Sequence, residues 1–230
     1  MNKINPLIVA LDVETLDEAK ALIVKLGDSV DIYKIGSQLF TAYGPEAVQI
    51  VTSLGKKVFL DLKFHDIPNT VANAVTSATC LNVFMMTVHA IGGREMMEAA
   101  VAAAQKKAQA LNIQKPLIVG VTVLTSAVKD VSTESIVLER AQLAKQAGLD
   151  GVVASVEEVM VLRKNLGKDF LIVTPGIRPA GTDKGDQKRT ATPAEAIQNG
   201  SNFLVVGRPI VAAVSPYEAA QGILKEIRRT

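Results

Sequence analysis

"PLIVALDVETLDEAKALIVKLG", residues 6 to 27, changes character at its midpoint. Leu7 to Leu11 is an unbroken apolar run closed by Asp12, the pattern of a parallel strand buried on both faces. The second half is amphipathic and Ala- and Leu-rich, and it stops at Gly27, where a glycine suits the end of a helix. Thr15 and Glu18 stand at capping-box spacing ahead of it. The turn between the halves lacks the glycine fingerprint of a dinucleotide-binding fold. One strand and one helix are therefore joined here without that phosphate-binding turn.

The same unit recurs along the chain. "DIYKIG", "KKVFLDLK", "VFMMTVH", "PLIVGVTVLT", "LDGVVAS", "FLIVTPG" and "NFLVVGRPI" are further β-branched runs. Between them lie helical stretches such as "GREMMEAAVAAAQKKAQAL", "SIVLERAQLAKQAG" and "TPAEAIQNG", the last with a second capping-box pair in Thr192 and Glu195. Eight such units in 230 residues predict an α/β fold, a (β/α)₈ TIM barrel in a single domain over 1–230. An open doubly wound sheet shares the period and is the alternative. One segment breaks the rhythm: "RPAGTDKGDQKRTATP", residues 178 to 193, is polar, Gly-rich and long for a strand-to-helix loop. It reads as a mobile lid over an active site.

Composition narrows the function. Lys and Arg number 25 against 23 Asp and Glu, too even a balance for a nucleic-acid or membrane surface. Hydrophobic residues make up 48%, enough for a sizeable core. A lone cysteine, Cys80, rules out an intrachain disulfide or a cysteine-rich zinc site. Asp12 interrupts the first apolar run before a signal-peptide core could form, and no run approaches the ~18 apolar residues of a membrane span. A soluble cytoplasmic protein is expected.

In a TIM barrel the chemistry lies at the C-terminal ends of the strands. The polar residues of this sequence fall there: Asp12, Lys34, Asp61 with Lys63, His89, Thr125 with Ser126, Ser155, Arg178 after Gly176, and Arg208 after Gly207. A single Asp ending a strand is usually a helix cap. Lys34 inside an apolar run is harder to dismiss, because lysine is seldom buried without a partner. Asp61 and Lys63, two apart on a strand, are expected on one side. If that side is the interior, Lys34, Asp61 and Lys63 meet there as alternating charges. "VVGRPI" adds a backbone that a ligand can approach at Gly207 and an oxyanion fork at Arg208, with Arg178 and Gln187 able to close over the same anion. The reading is an enzyme with a phosphorylated small substrate and a Lys/Asp centre.

Other residues carry blander readings. His65 is expected in a loop behind the site, and His89 either contacts ligand or closes its strand. Two histidines are too few for a His-rich metal site, leaving Asp61 and Asp66 as the pair able to take Mg²⁺. Cys80 in "VTSATCLNVF" and the methionines at 85, 86, 96 and 97 read as core packing.

"DLKFHDIPNTV", residues 61 to 71, resembles the D-x-K-x-x-D-I-P-x-T signature of the orotidine 5′-monophosphate decarboxylase family. "IVALDV", "YKIG", "VLTS", "TPGIRP" with "DQKR", and "VVGRPI" occur in the order of its bacterial branch, so the likeness covers nearly the whole chain. The resemblance implies a cofactor-free decarboxylase forming uridine 5′-monophosphate in pyrimidine biosynthesis, working as a homodimer with shared sites. It further implies that Lys63 is the proton donor to C6, that Asp61 faces the departing carboxylate, and that Lys34 pairs with Asp61 and contacts the ribose. Asp66 would come from the partner subunit, with Ile67 and Thr70 lining the shared site. Asp12 would bind a ribose hydroxyl, Thr125 and Ser126 the pyrimidine, and Pro175 would border the base. Arg178, Gln187, Gly207 and Arg208 would surround the phosphate. The alternatives are a Mg²⁺-dependent sugar-phosphate decarboxylase or aldolase on the same barrel, which shares "DxKxxD", and a barrel that only binds nucleotides or a protein.

Overall fold

The computed structural model describes residues 5–124, 132–179 and 190–228. Its strands are β1 (Leu7–Ala10), β2 (Ile32–Gly36), β3 (Lys57–Phe64), β4 (Met85–His89), β5 (Leu117–Val121), β6 (Gly151–Val153), β7 (Leu171–Thr174) and β8 (Phe203–Val206). They pair in sequence order into a closed parallel barrel, and β8 returns to β1 through Leu7 opposite Leu204 and Val9 opposite Val206. Closure removes both sheet edges and decides the fold against the open sheet.

The helices are α1 (Leu16–Leu26), α2 (Ser37–Tyr43), α3 (Pro45–Ser53), α4 (Pro68–Cys80), α5 (Gly93–Leu111), α6 (Thr133–Gln146), α7 (Val156–Leu166), α8 (Pro193–Gln198), α9 (Arg208–Val211) and α10 (Pro216–Arg228). Both expected capping boxes form, Thr15 with Glu18 and Thr192 with Glu195. The α2–α3 pair, split at Gly44 (φ 56°), follows β2 and has no counterpart in the elements read from sequence. None of the described helices is long and apolar enough to cross a membrane.

Two apolar layers follow from strand alternation. Outward side chains such as Leu7, Val9, Tyr33, Ile35, Val58 and Met86 pack against the helices, joined by Met96 and Met97 of α5. Inward side chains, among them Ile8, Ile32, Phe59, Met85, Val119, Val173 and Phe203, fill the barrel. The methionines are packing residues, as expected. Cys80 is not: it is exposed. The buried face of α4 is Val71, Val75, Ala78 and Thr79, and Thr79 covers its own hydroxyl by donating to the Val75 carbonyl at 2.8 Å. Cys80, one residue further round the helix, turns to solvent.

Gly151 of β6 stands opposite Leu171 of β7, and a Cβ placed on it would meet the Leu171 carbonyl and side chain closer than 3.0 Å. Gly151→Ala should therefore strain the ladder by about 1–3 kcal/mol. For a chain of this size the melting temperature should fall by about 2–12 °C. Differential scanning calorimetry checks this, and a variant melting with the wild type would contradict the close approach.

Candidate active site

Parity along the strands sets what reaches the top of the barrel. Inward-facing Ala10, Ile32, Phe59 and Met85 are followed two residues later by Asp12, Lys34, Asp61 and Thr87. Lys34 Nζ lies 3.1 Å from Asp12 Oδ1 and 3.8 Å from Asp61 Oδ2, and Lys63 Nζ lies 2.9 Å from that same Asp61 oxygen. Side-chain exposure grades along this chain of charges, from 13% and 14% at Lys34 and Asp61 to 38% at Lys63 and 56% at Asp12. The inner pair is thus screened from water while the Lys63 ammonium is open to a ligand.

Lys63 does not reach Asp61 by simple alternation. From Leu60 to Phe64 β3 advances four residues while its partner β4 advances two, from Met86 to Val88. Within this bulge Lys63 adopts a left-handed backbone, φ 53°. That conformation is costly for a non-glycine residue and tends to occur where function demands it. The Lys63 amide, without a ladder partner, donates to Thr87 Oγ1 at 2.8 Å, and Thr87 donates to Asp61 Oδ1 at 3.0 Å. The sequence reading missed Thr87. Its signal was its place two residues after Met85 in "MMTVH", an inward position at the same level as Asp61.

Lys34, Asp61, Lys63 and Pro175 line a cavity of about 140 Å³ walled by Phe59, Val121, Val123, Leu124, Val153 and Val205. A larger cavity, about 550 Å³, opens at the opposite end of the barrel between Lys56, Lys57, Phe84 and Lys115. Size is the poorer guide here. Lys115 is committed to Asp150 at 2.7 Å, Lys56 to the Gly27 carbonyl at 2.7 Å, and Lys57 sits over the Phe84 ring. The small cavity is where charge, bulge and strand ends coincide.

The comparisons with known proteins agree over almost all of this framework. Residues 5–223 match the family model described as "Orotidine 5'-phosphate decarboxylase / HUMPS family". The chain belongs to this family. A relative from Moorella thermoacetica named orotidine 5′-phosphate decarboxylase is 48% identical, covering 99% of this chain and 94% of its own. A second from Syntrophomonas wolfei, with the same name, is 47% identical over 96% of this chain and 97% of its own. Among solved structures, orotidine 5′-phosphate decarboxylase from Lactobacillus acidophilus superposes with a TM-score of 0.85 at 40% identity, covering 96% of this chain and 98% of that one.

Within this orotidine 5′-phosphate decarboxylase / HUMPS framework, the remaining predicted residues divide into three groups. Gly207 adjoins the charges, since a Cβ there would stand 3.6 Å from Asp12 Oδ2, and Arg208 follows it at the exposed start of α9. Arg178 sits after β7, where its amide donates to the Ala191 carbonyl at 2.9 Å and its guanidinium to the Ile177 carbonyl at 2.9 Å. That bond and the Ile177–Ala191 bridge tie together the two stems of the 178–193 segment. Asp66, Ile67 and Thr70 lie apart from the cavity on an exposed corner, with Ile67 66% exposed and Asp66 Oδ1 accepting from the Ile67 amide at 2.6 Å. Asp61 lines the cavity and Asp66 does not. Thr125, Ser126 and Gln187 lie outside the described residues.

His89 closes β4, and its ring centroid is 5.5 Å from that of His65, an exposed loop residue as expected. His89 Nδ1 is buried without a hydrogen-bond partner. Burial, then the neighbouring His65, Arg140 and Lys63, hold its pKa below the ordinary histidine value. The unfolded chain therefore takes up a proton near pH 6.5 that the folded chain refuses, and stability falls as pH drops through that value toward the folded pKa. Between pH 7.5 and 5 the wild type should lose more melting temperature than His89→Gln. Parallel losses would show that His89 contributes nothing to acid sensitivity.

Proposed function

We propose that this protein decarboxylates orotidine 5′-monophosphate to uridine 5′-monophosphate and CO₂, without a cofactor. The observation that carries the reading is the Lys34–Asp61–Lys63 arrangement at the barrel mouth, in a chain nearly half identical to proteins bearing that activity's name. Cleavage of the C6–carboxylate bond leaves its electron pair on a vinylic carbon that the pyrimidine cannot delocalise. Stabilisation must then come from charges arranged beforehand. Lys63 supplies an ammonium beside C6 and then transfers a proton to it, to be reprotonated from solvent. Asp61 faces the leaving carboxylate, and we assign it chiefly to holding Lys63, because ground-state repulsion alone is a contested source of rate.

One ammonium is not enough. A pair of unit charges about 4 Å apart is worth about 4 kcal/mol at an effective dielectric near 20, against the roughly 8–23 kcal/mol that enzymes remove from barriers. Binding energy from the rest of the nucleotide must help assemble the site. We assign Asp12 to a ribose hydroxyl, Lys34 to the ribose as well as to Asp61, and Pro175, Thr125 and Ser126 to the base. Arg178, Gln187, Gly207 and Arg208 are assigned to the phosphate. We further assign the 178–193 segment, of which residues 180–189 lie outside the described residues, to closure over that phosphate in a chain acting as one catalytic domain. A cytoplasmic location fits a substrate of this class.

Asp66 is exposed and does not line its own cavity, and exposed Ile67 and Thr70 stand beside it. This supports a homodimer in which each subunit lends Asp66, Ile67 and Thr70 to the other's site. Lys63→Ala and Asp66→Ala, each inactive alone, should regain about a quarter of wild-type activity when mixed at equal amounts and allowed to exchange, because half the subunits pair across types and half of those sites are intact. A mixture that stays dead after confirmed exchange would place Asp66 within its own site.

The activity itself is tested by following loss of orotidine 5′-monophosphate absorbance in excess EDTA, with uridine 5′-monophosphate identified as product. Turnover under chelation is expected. Inactivity there, with activity on a sugar phosphate once Mg²⁺ is returned, would favour the metal-dependent member of the same family.

A further inference from the structure

Thr87 is fully buried and has no exposed surface with which to meet a substrate, yet both of its hydrogen bonds end on the reaction centre. A threonine hydroxyl has one proton to give. Asp61 Oδ1 takes it at 3.0 Å, and a lone pair of Thr87 Oγ1 accepts the Lys63 amide at 2.8 Å. The other Asp61 oxygen takes the Lys63 ammonium at 2.9 Å. The result is a closed cycle: Lys63 backbone, Thr87, Asp61 and Lys63 side chain.

This cycle sits where the chain is under strain. β3 has left register with β4 between Leu60 and Phe64, and Lys63 holds φ 53°. Left-handed backbone costs a lysine roughly 1–2 kcal/mol. It persists only where its surroundings over-determine it. The Thr87 hydroxyl is the group that compensates here, by giving the bulged amide an acceptor and fixing the rotamer of the carboxylate that aims the ammonium. Packing alone would not select a hydroxyl at this point, since the adjacent inward position on β4 is Met85 and the facing one on β5 is Val119.

We propose that Thr87 is a positioning residue for the decarboxylation, a clamp that holds the Lys63 backbone and the Asp61 carboxylate together so that the ammonium meets C6. The proposal rests on the functional reading above. Misplacement of a reacting group by about 1 Å can cost about 100-fold in rate. Thr87→Val keeps the shape and removes the hydroxyl, and it should lower kcat about 10- to 100-fold while KM for orotidine 5′-monophosphate stays within about threefold. Thr87→Ser restores the hydroxyl and should recover kcat to within about threefold of wild type.

Amide hydrogen exchange at Lys63 gives a readout independent of turnover. It should be slow in the wild type and in Thr87→Ser, and faster in Thr87→Val, with other β3 amides unchanged. Wild-type kcat in Thr87→Val, or equal impairment in Thr87→Ser, would overturn the proposal. So would Lys63 exchange that ignores the substitution. A variant with lowered melting temperature but unaltered kcat would reduce Thr87 to a core residue. If the wild type itself fails to turn over the nucleotide, the functional reading falls, and exchange at Lys63 decides whether the clamp exists.

Discussion

Asp61 is shared. Its carboxylate stands 2.9 Å from one ammonium and 3.8 Å from another, and its side chain is only 14% exposed. Such an arrangement is expensive to build, because each charge must shed water before it gains a neighbour. It survives here because no member is left alone: Lys34 has Asp12 as well, and the second Asp61 oxygen has the Thr87 hydroxyl. Remove Asp61 and two cations face each other across a small cavity. The bulge in β3, the left-handed Lys63 and the inward Thr87 together keep that carboxylate satisfied on both sides.

The barrel was legible because parallel strands buried on both faces leave continuous apolar runs, and all eight quoted runs contain a strand. The α2–α3 pair was not read, because its apolar residues sit in a stretch with two helical pieces and a glycine break that no periodic window spans cleanly. Cys80 failed for a related reason: in a helix one residue is a turn of 100°, and Thr79 rather than Cys80 took the inward place.

Within the site, charge was the readable signal and register was the hidden one. Asp12, Lys34, Asp61 and Lys63 announce themselves as polar residues where strands end, and they do meet. Their meeting was expected from two-residue alternation, whereas Lys63 arrives through a bulge that only the pairing of β3 with β4 reveals. Thr87 went unread because a threonine inside an apolar strand is ordinary. The apolar wall of Phe59, Val121, Val153 and Val205 was unreadable for the same reason, since lining a cavity and filling a core call for the same residue types.

The seam between β1 and β8 has a consequence for how the protein is made. Leu7 pairs with Leu204, and Asp12 stands against Gly207, so an early and a much later stretch of the nascent chain complete the same structure. At about 5–20 residues per second, synthesis of the intervening segment takes about 10–40 s. Through that interval β1 has its β2 neighbour available but not its β8 neighbour, and its apolar edge is open to other chains. The barrel therefore cannot close until β8 has been made, and crowding or slow elongation would be felt first at this seam.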